Sequence, residues 1–437
     1  PFFNCYSIID ERSAAFFAMG IAQQIKHPVA LVCTSGSALL NYFPAVAEAF
    51  YSDIPLVVLS ADRPKHLVGI GDGQTIEQKD IYGNHVIYAT NLRSEKDDSI
   101  HIQEYNEKQI NNALNSSITK SGPVHINCPF NEPLYETIEN YTITPRVVQA
   151  KKTRKELNDN ILSSLVSTWN SCDRKMILVG VNDPDLIDQE YLDELAKDAS
   201  VMVFTETTSN LHHEAFFPSI DQIIAPLTPE EFKKLQPELL MTIGGMIVSK
   251  KIKAFLRTYK PDHHWHIDEK KANDTFFCLD THLKYTPNDV LSRLLSEGIK
   301  KSSDYQDYWL NVKAYRLQRH EEFLRDAVFS DLVAFRSILE SIPENRILHL
   351  GNSSTIRYTQ LFDLNKSLRV YCNRGTSGID GSTSTAIGGA SVSNLQNILI
   401  TGDLSFFYDS NAFWNDYIPS NFRIILINNS GGGIFRI

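Results

Sequence analysis

Gly402-Asp403 and Asn428-Asn429 join a carboxylate to an amide oxygen, each directly after an apolar run, and the pair reads as a clamp for a magnesium-diphosphate ligand. Magnesium takes hard oxygen ligands in near-octahedral geometry and completes its shell with phosphate oxygens and water, so one carboxylate and one amide oxygen make a sensible protein share. Gly431 adds a backbone carbonyl as a third candidate ligand, and the glycines at 431 to 433 let backbone approach a ligand closely. Ser405 begins a helix whose unpaired N–H groups and positive dipole end suit a diphosphate. Singly, Gly-Asp is a common turn and Asn-Asn a common strand exit. The chemical reading rests on the two together, since ligands of open parallel sheets bind beyond the carboxyl ends of the strands.

Such a clamp needs parallel strands behind it. Apolar runs at 6–9, 29–33 and 56–60 alternate with helical stretches at 16–25 and 39–50, a βαβαβ rhythm, and a further helix leads to a strand at 124–128. Runs of Val, Ile and Leu without polar alternation predict a parallel sheet buried on both faces. A second unit has strands at 176–180, 201–204, 239–243 and 265–267, with helices around 186–195 and 251–259. A long helical region at 289–341 leads to a third, with strands at 347–350, 369–371, 397–401 and 423–427 and helices from Ser353, Ser382 and Ser405. The expected class is α/β, with three open, mostly parallel-sheet domains. Their spans are 1–137, 156–325 and 326–437, with a polar linker at 138–155. The start at Pro1 and the stop at Ile437, just after a Gly-rich turn, read as a fragment with both ends missing.

Composition narrows the partners. The net charge of -10 argues against nucleic acid and against an anionic membrane surface, since both demand an excess of Lys and Arg. No apolar run approaches a membrane span and no signal peptide opens the chain, so a cytoplasmic protein is expected. Six dispersed cysteines without a CxxC pair fit a reducing compartment, where a free thiol packs as a small hydrophobe. The pairs His212-His213 and His263-His264 lack any zinc-ligand spacing, and no GxGxxG joins a first strand to its helix, which argues against a nucleotide-binding dehydrogenase.

Four runs near the first and third units occur together with the clamp: Asp10-Glu11-Arg12-Ser13, Ser60-Ala61-Asp62-Arg63-Pro64, Gly122-Pro123-Val124-His125-Ile126-Asn127-Cys128-Pro129, and Asn373-Arg374-Gly375-Thr376-Ser377-Gly378-Ile379-Asp380-Gly381. With Gly402-Asp403-Leu404-Ser405-Phe406 and the run from Asn428 to Phe435, they resemble the thiamine-diphosphate enzymes, and within them the family of 2-succinyl-5-enolpyruvyl-6-hydroxy-3-cyclohexene-1-carboxylate synthases of menaquinone biosynthesis. Leu404 fits that family, which also lacks the third glycine of the generic signature.

The resemblance implies thiamine diphosphate with Mg²⁺ or Mn²⁺ as cofactors, and 2-oxoglutarate and isochorismate as substrates. It implies a homodimer or homotetramer, with Glu11 of one chain facing Asp403 and Asn429 of its partner. Glu11, which also reads as a first-turn acid behind the N-cap Asp10, would hydrogen-bond the cofactor's pyrimidine ring and favour its imino tautomer. Asp403, Asn429 and Gly431 would hold the metal, while Gly402, Ser405 and Ser377 would contact the cofactor and Ile379 would wedge beneath its thiazolium. The family's substrate-binding positions fall on Arg63, Gln74, Lys250, Ser353, Arg357, Arg374, Ile434 and Phe435. Arginine suits the carboxylates because its planar fork grips them with two parallel hydrogen bonds. Two positions depart from the family pattern: Gly73 stands where a side-chain amide is common, and Lys251 where Arg occurs. Two other readings stay open from the residues: a different thiamine-diphosphate 2-oxoacid decarboxylase or acetohydroxyacid synthase, and a catalytically silent binding protein of the same fold.

Overall fold

The computed structural model describes residues 2–94, 99–131, 135, 137, 139, 143–150 and 156–432. Its α/β alternation follows the sequence expectation: three parallel sheets with helices between the strands. The first comprises α1 (Glu11–Ile25), β1 (Val29–Cys33), α2 (Ala38–Asn41), α3 (Phe43–Tyr51), β2 (Leu56–Asp62), β3 (Tyr88–Asn91), α4 (Ser99–Lys120) and β4 (Val124–Pro129), in strand order β1-β2-β4-β3.

The central sheet has α5 (Asp159–Ser171), β5 (Lys175–Val179), α6 (Gln189–Ala196), β6 (Val201–Phe204), α7 (Ile220–Ile224), α8 (Pro229–Leu235), β7 (Leu239–Ile243), α9 (Lys250–Thr258), β8 (His263–Ile267), β9 (Thr281–Leu283), α10 (Pro287–Glu297), α11 (Tyr305–Asp326) and α12 (Asp331–Ser341). Its strand order is β6-β5-β7-β8-β9. The third sheet, ordered β11-β10-β12-β13, has β10 (Ile347–Leu350), α13 (Ser354–Thr359), β11 (Arg369–Cys372), α14 (Ser382–Ser391), β12 (Asn397–Gly402), α15 (Asp403–Tyr408) and β13 (Phe422–Ile427).

The elements gather into two compact units. One comprises residues 1–153, 349–352 and 372–437; the other comprises 154–348 and 353–371. In the second unit β5, β6 and β7 are buried throughout. Successive side chains of a strand point to opposite faces, so Ile177, Val179 and Met241 enter one core layer while Met176, Leu178 and Leu240 enter the other.

In the first unit α1 is buried on most of its circumference, because one face packs on the sheet and another on α14. Phe17 and Ile21 of α1 share a core with Ala386, Ile387, Ala390 and Leu399. The backbones touch there, since a Cβ at Gly388 would lie 2.0 Å from the carbonyl oxygen of Phe17. Burying each large apolar side chain contributes about 1.5–3 kcal/mol. That outweighs the roughly 1 kcal/mol that a glycine costs in a helix interior.

Several expected elements differ. Residues 6–9 form no strand: Tyr6 packs its ring on Phe17 and Tyr417, and the Ser7 amide donates to the Tyr417 hydroxyl at 3.1 Å. The helical region at 289–341 is broken into α10, α11 and α12, with Gly298 at the first break. Burial on both faces holds for β5, β6 and β7 but not for β1, an edge strand whose Val32 is 72% exposed. Among the described residues no helix is long and apolar enough to cross a membrane.

Candidate active site

Glu11 is the first residue of α1, which Asp10 caps by accepting the Ser13 amide at 2.8 Å. The other oxygen of Asp10 accepts from Asn411 at 2.7 Å, anchoring the helix start in the first unit. Glu11 itself is half-buried and accepts from the Asn41 amide at 3.2 Å. Its charge, acting after burial, helps push the Cys33 thiol up to about 12, so a neutral thiol neighbours the carboxylate. Cys33 ends β1, which puts Glu11 at the carboxyl edge of the sheet.

Gln74 reaches that edge through its backbone, since a Cβ at Gly36 would lie 3.4 Å from the Gln74 carbonyl oxygen. Arg63 follows β2 and stands 3.8 Å from Asp72. A buried polar network lies beneath it. Asn127 donates to Asp62 and Asn91 at 2.7 and 2.9 Å, and accepts from Ser60 and Gln78 at 2.8 and 2.9 Å. Gln78 also accepts the Gly36 amide at 2.9 Å, so the network joins the turn after β1 to the Asp62-Arg63 turn after β2. His125 completes it at 2.7 Å from Ser60, and burial drives this imidazole down to about 4.

On the third sheet the turn at 373–381 is pinned from three sides. Asn352, itself buried, donates to the carbonyls of Asn373 and Gly378 at 2.7 Å each and accepts Nη1 of Arg374 at 2.7 Å. Ser405 donates its hydroxyl to the Ile379 carbonyl at 2.6 Å. Glu48 of α3 accepts the amides of Gly375 and Thr376 at 2.6 Å each. Arg374 is buried, with Nε lacking a partner, whereas Ile379 is 37% exposed and so presents an apolar surface outward.

The clamp residues leave neighbouring strands. In the parallel pair β12 and β13, Gly402 is the register partner of Ile427, so Asp403 and Asn428 follow at one level and Asn429 comes one residue later. Asp403 is 8% exposed; one oxygen accepts the Leu404 amide at 2.7 Å, and among the described residues no cation pairs with it. A Cβ at Gly402 would meet nothing within 4 Å, and one at Gly431 (φ 93°) would only touch a Leu404 methyl at 4.0 Å. There is room beside both.

Lys250, Ser353 and Arg357 belong to the second unit. Lys250 is exposed at the start of α9, and Arg357 is half-buried in the last turn of α13. Ile434 and Phe435 lie outside the described residues. Four candidates or their neighbours carry a left-handed backbone without being glycine: Gln74 (φ 54°), Ser353 (φ 71°), Ser377 (φ 60°) and Ser430 (φ 65°). Such conformations cost about 1–3 kcal/mol each and gather at functional sites. Of the histidine pairs, His264 bonds Thr242 at 3.0 Å and His213 stands 3.7 Å from Asp193, both inside the central unit.

Glu48, Asn352, Gln78 and Asn127 were not singled out from the sequence. Their partners are distant in the chain, and no local spacing announces a buried polar residue. The one signal present was the recurrence of Asn127 within the run from Gly122 to Pro129.

The sequence profile described as "Thiamine pyrophosphate enzyme, N-terminal TPP binding domain" matches residues 1–82. Curated relatives named 2-succinyl-5-enolpyruvyl-6-hydroxy-3-cyclohexene-1-carboxylate synthase are similar along nearly the whole chain. The protein from Christiangramia forsetii is 54% identical over 99% of this chain and 78% of its own length. That from Flavobacterium psychrophilum is 54% identical over 100% of this chain and 78% of its own. The Porphyromonas gingivalis protein is 40% identical over 100% and 77%.

Proposed function

Because the chain belongs to the family of 2-succinyl-5-enolpyruvyl-6-hydroxy-3-cyclohexene-1-carboxylate synthases, we propose that residues at the strand ends of the first sheet of one chain and of the third sheet of its partner form the thiamine-diphosphate site. The protein is a thiamine-diphosphate-dependent transferase of menaquinone biosynthesis. It decarboxylates 2-oxoglutarate and adds the remaining succinyl unit to isochorismate in a conjugate addition.

Thiamine diphosphate, when bound, supplies the carbanion chemistry. Asp403, with Asn429 and the Gly431 carbonyl, would hold Mg²⁺ or Mn²⁺, which would neutralise the diphosphate charge, and Gly402 and Ser405 would contact the cofactor. The observation that carries this assignment is the buried Asp403 carboxylate, which meets a backbone amide but, among the described residues, no cation, next to open space at Gly402 and Gly431. A buried carboxylate without a compensating charge is costly, and a metal ion supplies that charge.

Ile379, whose side chain is exposed, would supply an apolar surface for the cofactor, with Ser377 in the same turn. Glu11 would hydrogen-bond the aminopyrimidine and exchange a proton with it, and the capped first turn of α1 fixes its position. Arg63 and Arg374 would grip substrate carboxylates through their guanidinium forks, and the buried Nε of Arg374 has no hydrogen-bond partner among the described residues. The family's remaining substrate-binding positions fall on Gln74, Lys250, Ser353, Arg357, Ile434 and Phe435.

The assembly is a homodimer or homotetramer. Apolar side chains exposed around the clamp support this, notably Leu404, Phe407, Tyr408 and Trp414. A cytoplasmic setting accords with the six unpaired cysteines.

A two-substrate assay tests the reading. With thiamine diphosphate and Mg²⁺, adduct is expected from 2-oxoglutarate plus isochorismate and none from pyruvate. Adduct formation from pyruvate in place of 2-oxoglutarate would overturn it.

A further inference from the structure

Glu48 lies in α3, in a stretch that reads as a plain amphipathic helix, yet its side chain is 1% exposed. No lysine or arginine neutralises it among the described residues. Its two oxygens are saturated instead by four donors: the Gly375 and Thr376 amides at 2.6 Å each, the Thr376 hydroxyl at 2.7 Å and the Ser52 hydroxyl at 2.8 Å. A carboxylate accepts at every lone pair and donates at none, which is what four converging donors require. Three of them belong to the turn that carries Arg374 and Ile379.

The backbone is equally close. A Cβ at Gly375 would lie 2.5 Å from the Glu48 carbonyl oxygen and 2.8 Å from the Ser52 hydroxyl, so only glycine lets the turn dock on α3. Arg374 immediately precedes this contact, and Ile379 follows the left-handed Ser377. On its other side the turn is held by Asn352 and Ser405.

We propose that Glu48 is a positioning residue for the reaction: by fixing the backbone at Gly375 and Thr376 it sets where the Arg374 guanidinium and the Ile379 side chain stand. The proposal rests on the reading of Arg374 as a substrate-binding residue. Glu48, buried and with both oxygens taken by four protein donors, has no oxygen left for a substrate or cofactor. Glu48→Gln would turn an amide NH₂ toward donors and leave them opposed, whereas Thr376→Val removes one of the four bonds and leaves the carboxylate in place.

The test is a kinetic cycle on the full enzyme with both substrates, comparing E48Q, T376V, R374A and the double variants of R374A with each, alongside thermal unfolding. E48Q is expected to raise KM for the substrate gripped by Arg374 by about tenfold or more, since small displacements of a binding group cost up to about a hundredfold. T376V should give a smaller rise in the same KM. In the R374A background both should lose their effect on that KM, a non-additivity that general destabilisation does not produce. Should E48Q fail to fold, the cycle of T376V with R374A decides alone. If R374A lowers substrate binding but E48Q and T376V act equally in both backgrounds, or not at all, the proposal is wrong and the reading of Arg374 stands. An R374A enzyme with both KM values unchanged removes that reading and the proposal with it.

Discussion

Gly20 of α1 lies against Thr385 of α14 so closely that a Cβ at position 20 would stand 2.0 Å from the Thr385 carbonyl oxygen. The helix that begins with Glu11 is thereby pressed, backbone to backbone, on the helix that begins just after the turn bearing Ile379. Glu11, which we propose as the catalytic acid, and the turn bearing Ile379 are thus anchored within the chain to the same helix–helix contact.

Gly20→Ala tests that contact. On an exposed helix this change would stabilise by about 1 kcal/mol. Here overpacking is expected to win and to cost about 1–3 kcal/mol in urea unfolding. A neutral or stabilising result would mean that the helices separate without penalty.

Asp403→Asn keeps the shape of the clamp and removes its charge. Calorimetric titration with thiamine diphosphate and Mg²⁺ should show affinity reduced by about a hundredfold or more, given that even indirect partners of a metal contribute ten- to a hundredfold. Unfolding without ligands should be no less stable than in the parent, because an uncompensated buried charge is gone. Unchanged cofactor affinity would remove Asp403 from the metal site.

Stability should rise from acid toward neutral pH. Burial drives the imidazoles of His125, His264 and His349 from 6.5 down to about 4. Between those values the unfolded chain binds protons that the folded chain does not, so their contribution is present above 6.5 and lost as pH falls toward 4. Asp409 acts with the opposite sign. Burial raises it from 3.8 to about 6, against the pull of hydrogen bonds from Ser384 and Thr383 and the charge of Arg12. Its contribution is present below 3.8 and lost as pH rises through about 6. Three histidines with shifts of similar size outweigh one carboxyl, so the urea midpoint should climb between 4 and 6.5, and more steeply in D409N. A flat or falling midpoint would contradict the burial of these imidazoles.

The sequence carried the α/β rhythm because buried parallel strands are apolar without interruption, as β5, β6 and β7 are. It also placed Asp403 and Asn428-Asn429 just beyond apolar runs, and β12 and β13 do end there. Residues 6–9 misled because a short apolar run reads alike whether it pairs in a sheet or packs its aromatic ring, as Tyr6 does on Tyr417. β3 was invisible because Thr90 and Asn91 interrupt its apolar pattern. Glu48 and Asn352 were hidden for a different reason. A polar residue in a helix or after a strand looks solvent-facing until the distant turn it holds, here 373–381, is folded against it.

The central claim is that Glu11 handles the proton on which the cofactor chemistry depends. Glu11→Gln preserves side-chain length and leaves the Asp10 cap of α1 untouched, but it removes the ionisable group. Its turnover of 2-oxoglutarate with isochorismate, under saturating thiamine diphosphate and Mg²⁺, is the most direct measurement. A fall in kcat of about 10²–10⁴ is expected from the loss of a positioned general acid–base group. Turnover of E11Q at the parental rate would contradict the account.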